Sequence, residues 1–138
     1  CGKAIDFPFG DVGQLSEYGW FAENSGDRTH PVASRKPNAW GVFGMYGNVS
    51  EWCQDVYAAD YYQQSPSADP TGPESDQDDA KRVVRGGSWK STASMCRSTF
   101  RQGKTTGDSD ACFASDDCGF RCVRRLTKTE ARQVSQGN

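Results

Sequence analysis

Large apolar side chains occur in short clusters along the chain, and no long stretch keeps a regular period. Residues 1–35 alternate aromatic clusters such as Phe7-Pro8-Phe9 with Gly-, Asp- and Ser-rich segments, and helical periodicity never extends beyond one turn. From Trp40 to Trp52, glycines alternate with large apolar residues, a pattern typical of tight turns in close backbone contact. We therefore expect an irregular N-terminal segment held in place by buried aromatic rings.

Two later segments have the pattern of short strands. Residues 83–85 are Val-Val-Arg and stop at two glycines, as a strand does before a tight turn, and residues 119–123 alternate inward and outward positions. Residues 63–81 hold three prolines and an acidic run, which predicts an exposed loop. Residues 90–118 are rich in Ser, Thr, Asp and Gly and predict a long polar loop with a few apolar anchors.

The amino-acid composition and charge restrict the class of protein to which this chain can belong. The 138 residues suffice for one compact domain, and the 35 % hydrophobic content with 15 glycines indicates a loop-rich fold and not a disordered chain. The 16 basic and 18 acidic residues are scattered and give a formal net charge of −2. Nucleic acids and anionic membranes attract clustered positive charge, so neither is expected as a partner. No segment approaches the roughly 20 consecutive apolar residues of a membrane-spanning helix.

Six cysteines are many for a chain of this length, at positions 1, 53, 96, 112, 118 and 122. Their spacing lacks the paired C-x-x-C pattern of a structural zinc site, so disulfides are the first interpretation. Six cysteines allow about 15 pairings, and Cys112 with Cys118 is one way to staple the polar loop. Disulfides favour an extracytoplasmic or cell-surface location, with free thiols in a reducing cytoplasm as the alternative.

Three motifs occur in a fixed order: Gly-Asn-Val-Ser-Glu-Trp at residues 47–52, Arg-Gly-Gly-Ser-Trp at 85–89 and Gly-Phe-Arg at 119–121. Their order and spacing resemble the formylglycine-generating-enzyme (sulfatase-modifying-factor) superfamily, and the residues around His30 and Trp40 are similar to its bacterial members. The resemblance implies an α+β, C-type-lectin-like fold that is loop-rich, with short antiparallel strands and little helix. We assign this domain to residues 1–126, followed by a polar tail at 127–138.

The resemblance also implies a catalytic centre and its cofactor. Enzymes of this family oxidise a substrate cysteine to formylglycine with Cu(I) held by two thiolates, and those positions fall at Ser91 and Cys96. Ser88 is the third residue that we assign to the candidate catalytic centre. Ser91 replaces the first cysteine, and Ser50 replaces a tryptophan that lines the family's substrate groove. Because Cu(I) prefers soft thiolate ligands, copper is not expected here. Cys96 is left as a remnant ligand, a free buried thiol or a disulfide partner of Cys53.

Further features follow from the resemblance. It implies a calcium site at Gly47, Val49 and Glu51, although Gly44 stands where the family has Asp or Asn and calcium takes about six to eight oxygens. The alternative is that the Glu51 carboxylate accepts backbone N–H groups. A disulfide between Cys1 and Cys122 is also implied. The chain resembles the C-terminal half of the domain, so the N-terminal half is itself a candidate partner.

Three functions are compatible with these observations. The first is an oxidase or related enzyme acting through Cys96, and the second is a structural component of the cell surface. The third is a non-catalytic module that binds a protein or peptide, as in similar proteins diversified by retroelements, because polar loops on rigid flanks make adaptable surfaces. Its candidate ligand-binding residues are Trp89, Lys90, Ser91, Thr92, Ser94, Ser98, Phe100, Phe113, Ser115, Asp116 and Asp117.

Other conspicuous residues are given structural roles. His30 is the only histidine and has no nucleophile and acid spaced for a catalytic triad. Four tryptophans, at positions 20, 40, 52 and 89, are expected in the core, although Trp89 also borders the candidate groove. Three arginines, at positions 97, 101 and 121, are expected to form framework ion pairs with nearby carboxylates.

Overall fold

A computed structural model describes residues 7–77, 80–105, 115–124 and 127. Within these residues the chain forms one short α-helix, α1 (Leu15–Tyr18), three short 3-10 helices (Val12–Gln14, Tyr61–Gln63 and Ala93–Cys96) and four strands. The strands are β1 (Ser50–Val56), β2 (Arg82–Arg85), β3 (Gln102–Lys104) and β4 (Cys118–Phe120). Long irregular segments connect them, so the predicted α+β, loop-rich fold with little helix is confirmed.

The four strands form one sheet in the order β3-β2-β1-β4. As predicted, neighbouring strands are antiparallel from β1 to β2 and from β2 to β3, but β4 runs parallel to β1. Trp52 at the centre of β1 lies between Val84 of β2 and Phe120 of β4. The parallel pair arises because β4 enters the sheet after a long connection and not through a hairpin.

Glycines end the second strand where the sequence predicts a turn. β2 stops at Arg85, and Gly86 and Gly87 follow with φ values of +89° and +70°. Such backbone angles favour glycine because a side chain would collide with the neighbouring carbonyl. The last predicted strand is present but shorter than expected, since β4 ends at Phe120 and the following residues 121–124 are exposed.

The core cluster is largely aromatic and comes mainly from the segment of chain before the first strand. Phe7, Leu15, Phe21, Tyr46 and Cys96 form its buried cluster. The rings of Phe9 and Tyr18 stack against each other with their centroids 4.2 Å apart, at the edge of this cluster. The prediction that aromatic residues hold the irregular N-terminal segment is therefore confirmed.

The prediction that all four tryptophans belong to the core was wrong. Trp40 is 85 % exposed, and Trp20, Trp52 and Trp89 are only half-buried. Indole is amphipathic, so a tryptophan can cover an apolar surface and still present its N–H to a polar partner. Trp20 does this by donating its Nε1–H to the Ser34 hydroxyl at 2.8 Å.

The Gly47–Asn48 turn joins three distant parts of the chain. The Gly47 N–H donates to the Gly86 carbonyl at 2.7 Å, and the Asn48 N–H donates to the Trp20 carbonyl at 2.6 Å. The Trp89 N–H in turn donates to the Asn48 carbonyl at 2.9 Å. These bonds fix the first two sequence motifs against each other and position the serine turn that follows the second motif.

None of the helices within the described residues has the length and apolar character of a membrane-spanning segment.

Candidate functional site

Ser88 and Ser91 form a closed, buried turn immediately after the two glycines. The Ser88 N–H donates to the Ser91 hydroxyl at 2.8 Å, the two hydroxyl oxygens are 3.1 Å apart, and the Ser91 N–H donates to the Ser88 carbonyl at 3.0 Å. The two serines are 1 % and 6 % exposed. Ser91 therefore lies inside the turn, and its prediction as a ligand-binding surface residue was wrong, because its hydroxyl is needed to satisfy buried backbone groups.

Cys96 is a free thiol enclosed in the core. It is 1 % exposed, and a methyl group built on Gly87 would lie 2.6 Å from its Sγ. Burial raises the pKa of Cys96 to about 12, and the backbone hydrogen bond with Gly47 offsets only part of this effect. Cys53 is also a free thiol, so the predicted disulfide between Cys53 and Cys96 is not formed. The structure instead agrees with the alternative in which Cys96 is a free, buried thiol. At neutral pH the Cys96 thiol is protonated.

These residues do not fit a two-thiolate copper site. Linear Cu(I) coordination takes two soft sulfur ligands, whereas Ser91 contributes a hydroxyl that is bonded to Ser88 and leaves Cys96 as the single sulfur of the pair. Within the described part of the chain, no group of three or more His, Cys, Asp or Glu side chains has the geometry to hold a metal ion.

An exposed surface lies directly outside the buried serine turn, and we call Trp89, Lys90 and Asp116 the Trp89 surface. The Lys90 ammonium lies 4.5 Å from the centre of the Trp89 ring and 2.6 Å from Asp116 Oδ1. The Trp89 Nε1–H donates to the Asp116 carbonyl at 3.2 Å. An aromatic face, a cation and an anion are therefore presented together on a rigid turn.

A second polar group adjoins the Trp89 surface. Lys104 Nζ lies 3.2 Å from Asp117 Oδ1 and 3.4 Å from the Ser115 hydroxyl, which also donates to Asp117. Burial opposes ionisation of Asp117, but the hydrogen bonds from Ser115 and Lys104 outweigh it and hold the pKa of Asp117 below its ordinary value. The nearby charge of Lys90 acts in the same direction, and Asp117 directly follows Asp116 of the Trp89 surface in the chain.

The remaining predicted ligand-binding residues are arranged differently. The hydroxyls of Thr92 and Ser94 are exposed and lie 3.0 Å apart. The Ser98 carbonyl accepts from Arg85 Nη2 at 3.0 Å, and Phe100 is half-buried. Phe113 lies outside the described residues. The structure thus brings together five of the predicted residues, namely Trp89, Lys90, Ser115, Asp116 and Asp117.

The Sulfatase-modifying factor enzyme 1-like domain family matches residues 8–126. The chain belongs to this family. It is 39 % identical over 102 residues to the formylglycine-generating enzyme of Streptomyces coelicolor, covering 74 % of this chain and 31 % of that enzyme. It is also 33 % identical over 123 residues to the serine/threonine-protein kinase pkn1 of Chlamydia pneumoniae, covering 89 % of this chain and 18 % of the kinase.

A solved structure shares the fold. Treponema denticola variable protein 1 superposes with a TM-score of 0.62 and 34 % identity, covering 78 % of this chain and 36 % of that protein. The chain thus spans about a third or less of the curated relatives it matches and just over a third of this solved structure.

The loop that the family resemblance associates with calcium is bound by an arginine in this chain. Arg121 Nε donates to Glu51 Oε2 at 2.9 Å, and Arg121 Nη2 donates to Glu51 Oε1 at 2.6 Å and to the Gly44 carbonyl at 3.0 Å. The hydrogen bond to Glu51 raises the pKa of Arg121. The ion pair predicted for Arg121 is present, and the Glu51 carboxylate is held by this side chain, not by the backbone N–H groups expected.

An apolar groove with a volume of about 630 Å³ lies beside this loop. Its wall includes Trp20, Val32, Phe43 and Phe120, and Val32 and Phe120 are 85 % and 76 % exposed. At its edge the Trp20 ring contacts the Arg35 guanidinium, 3.5 Å from the ring centre.

The structural role predicted for His30 agrees with its position beside this groove. The His30 ring stacks on Trp20 with 3.7 Å between centroids, and its Nε2 lies 2.6 Å from the Ser25 carbonyl. The Asn48 side chain bonds both backbone groups of His30.

Two predictions on cysteines remain predictions. Cys122 is an exposed free thiol beyond β4, but its predicted disulfide partner Cys1 lies outside the described residues. Cys112, the predicted partner of Cys118, also lies outside them.

Sequence reasoning missed Lys104 as a site residue, because only the pairing of β3 with β2 and the course of the chain before β4 bring Lys104 to Asp117.

Proposed function

We propose that this chain is a non-catalytic member of the sulfatase-modifying-factor family that binds a protein or peptide ligand through the Trp89 surface. The observation that carries the proposal is the contrast between two neighbouring layers of the same turn. The inner layer contains the two positions where the family resemblance implies thiols: Ser91, whose hydroxyl is bonded to Ser88, and the buried thiol of Cys96. The outer layer presents an aromatic ring and two opposite charges.

The chemistry of the outer layer supports recognition of a polypeptide. A half-buried tryptophan supplies rigid contact area at a low entropic cost, and tryptophan is enriched at the centres of binding interfaces. Lys90 and Asp116 are 46 % and 68 % exposed at their side chains, so they can exchange their mutual contact for polar groups of a ligand. The likeness to a protein named for its variability supports a surface whose residues change on a constant framework.

Selection of peptides from a random peptide library on the immobilised chain tests the proposal. Enriched peptides are expected to lose at least about tenfold in affinity with Trp89→Ala, equivalent to roughly 1.4 kcal/mol. Lys90→Ala is expected to weaken the same peptides. The control is Lys36→Ala, which removes another exposed lysine from an ion pair, that with Glu17. Selected peptides that bind the Trp89→Ala variant and the wild-type chain equally would refute the Trp89 surface as the site.

Natural sister sequences provide a second test of the proposed variability. Substitutions are expected to concentrate at exposed positions between residues 90 and 118, while the buried Ser88, Ser91 and Cys96 stay constant. Uniform sequences across that segment would contradict a diversified surface.

We also propose an extracytoplasmic or cell-surface location with a disulfide between Cys1 and Cys122. The number of cysteines supports this proposal. The native chain is alkylated with and without prior reduction and examined by mass spectrometry. These two cysteines are expected to be alkylated only after reduction. Full alkylation of Cys122 without reduction would contradict the bridge.

A further inference from the structure

We propose that the Arg121 guanidinium is the resident cation of the loop at residues 44–51, so that this chain holds the loop in place without calcium. The proposal starts from three oxygens that face one charged group. Both carboxylate oxygens of Glu51 and the carbonyl oxygen of Gly44 accept hydrogen bonds from Arg121, at 2.6 to 3.0 Å. One guanidinium nitrogen, Nη2, joins the Gly44 carbonyl to the Glu51 carboxylate.

The oxygens of this loop do not fit a calcium ion. Calcium takes about six to eight oxygen ligands, usually including several carboxylate oxygens. Here Glu51 is the sole carboxylate of the predicted set, and its two oxygens already neutralise a guanidinium in a bidentate pair. Position 44 offers only a backbone carbonyl, since a glycine occupies it.

The geometry at Gly44 places the arginine beside the position where a ligand side chain would begin. Gly44 has a φ of +66°, and a methyl group built on it would lie 3.6 Å from Arg121 Nη2. An Asp or Asn side chain at this position would extend toward the guanidinium. The ion pair therefore connects β1 to the residue after β4, and the hydrogen bond to Gly44 connects that residue to the turn before β1. The strands β1 and β4 are already paired through Glu51 and Gly119.

Thermal unfolding of the full chain in excess calcium chloride and in excess EDTA tests the proposal. The Tm of the wild-type chain is expected to be the same in both solutions, and isothermal titration with calcium chloride is expected to give no binding heat. A Tm that rises with calcium and falls with EDTA would overturn the proposal.

Arg121→Gln removes the guanidinium while keeping a side chain of polar character. This variant is expected to lower the Tm by at least about 4 °C, equally in calcium and in EDTA. The matched control is Lys104→Gln, which breaks another cation–carboxylate contact of the same sheet, that with Asp117. A smaller loss is expected for the control, because Lys104 makes a single ion-pair contact. Equal losses in the two variants would also overturn the proposal.

Arg121→Lys separates charge from geometry. A lysine keeps the positive charge but cannot donate two parallel hydrogen bonds to the Glu51 carboxylate and a third to Gly44. Its Tm is expected between those of the wild type and Arg121→Gln. Should Arg121→Gln not fold, the calcium response of the wild type and of Arg121→Lys still decides the question, since both are expected to be indifferent to the ion.

Discussion

At the scale of single residues, the site depends on glycines whose missing side chains make room for other groups. A methyl group built on Gly47 would lie 1.9 Å from the Trp20 carbonyl oxygen, and the residue has a φ of +69°. Gly26 has a similar φ of +62° but open space around its Cα. The two glycines therefore differ in crowding and not in backbone conformation, which allows the two effects to be measured separately.

Gly26→Ala is expected to destabilise the fold by about 1–2 kcal/mol through the unfavourable backbone angle alone. Gly47→Ala adds a collision with backbone that cannot move without breaking the Asn48 turn, and it is expected to destabilise the fold by at least about 3 kcal/mol. Urea unfolding of both variants measures the difference. Similar losses in the two variants would show that crowding at Gly47 is relieved elsewhere.

Ser91 is the residue that separates this chain from the two-thiol pattern of its family. Ser91→Cys restores a second sulfur ligand, and it also breaks a hydrogen bond to the Ser88 N–H. We expect the wild type to take up no Cu(I) under reducing conditions and the variant to bind it, at the expense of about 1 kcal/mol in stability. Competition with a chromophoric Cu(I) chelator measures both affinities. Cu(I) binding by the wild type that disappears in Cys96→Ala would revive the oxidase interpretation.

At the scale of secondary structure, the ion pair of Lys104 and Asp117 connects β3 to the segment before β4. Because the pKa of Asp117 is lowered in the fold, its stabilising contribution is present above the ordinary carboxyl pKa of about 4. That contribution is lost as the pH falls through the lowered value. The same pair raises the pKa of Lys104, although burial of its ammonium opposes this, so the contribution is also lost at strongly alkaline pH.

Asp117→Asn is expected to lower the free energy of unfolding by about 0.5–1 kcal/mol at pH 7, in the range of partly exposed ion pairs. The difference from the wild type should shrink as the pH falls below about 4, because the wild-type carboxyl group then becomes protonated. Urea titrations at pH 7, 5 and 3 measure it. The control Asp116→Asn removes a more exposed carboxylate and should change stability less. A difference that persists undiminished at low pH would mean that charge is not its cause.

At the scale of the whole molecule, the described residues leave a substantial apolar groove exposed. The family match covers most of the chain, yet the chain spans only about a third or less of the relatives it was compared with. Large exposed apolar surfaces mark sites of contact with another protein or a membrane, or grooves that bind a ligand. We propose that the N-terminal half of the domain, expected from the family resemblance, packs on this groove.

A hydrophobic dye such as anilinonaphthalene sulfonate is expected to bind the chain at this groove. The double variant Val32→Ser and Phe120→Ser removes its two most exposed apolar side chains and should reduce the bound-dye fluorescence severalfold. Val12→Ser is the control, since Val12 is 50 % exposed but does not line the groove. Equal loss of fluorescence in the control would show that the dye reports general exposure.

The framework could be predicted from sequence because its signals are local. Glycines after residue 85, the Gly-Asn turn and the aromatic clusters each encode a backbone constraint that holds in any surroundings. The positions of Ser91, Trp40 and Lys104 could not be predicted. Whether a serine points into a turn, a tryptophan outward or a lysine toward a distant aspartate depends on contacts between segments that only the folded chain brings together.

The buried position of Cys96 also makes it a native probe of opening motions. Behind Gly87 its thiol has no contact with solvent, so a thiol reagent reacts with it only when the serine turn separates from the core. Once the proposed bridge to Cys1 has been reduced, exposed Cys122 should react at once, whereas Cys96 should react at the rate at which that part of the chain opens. Following the two reactions in one sample would therefore show how often the serine turn separates from the core, without any added label or substitution.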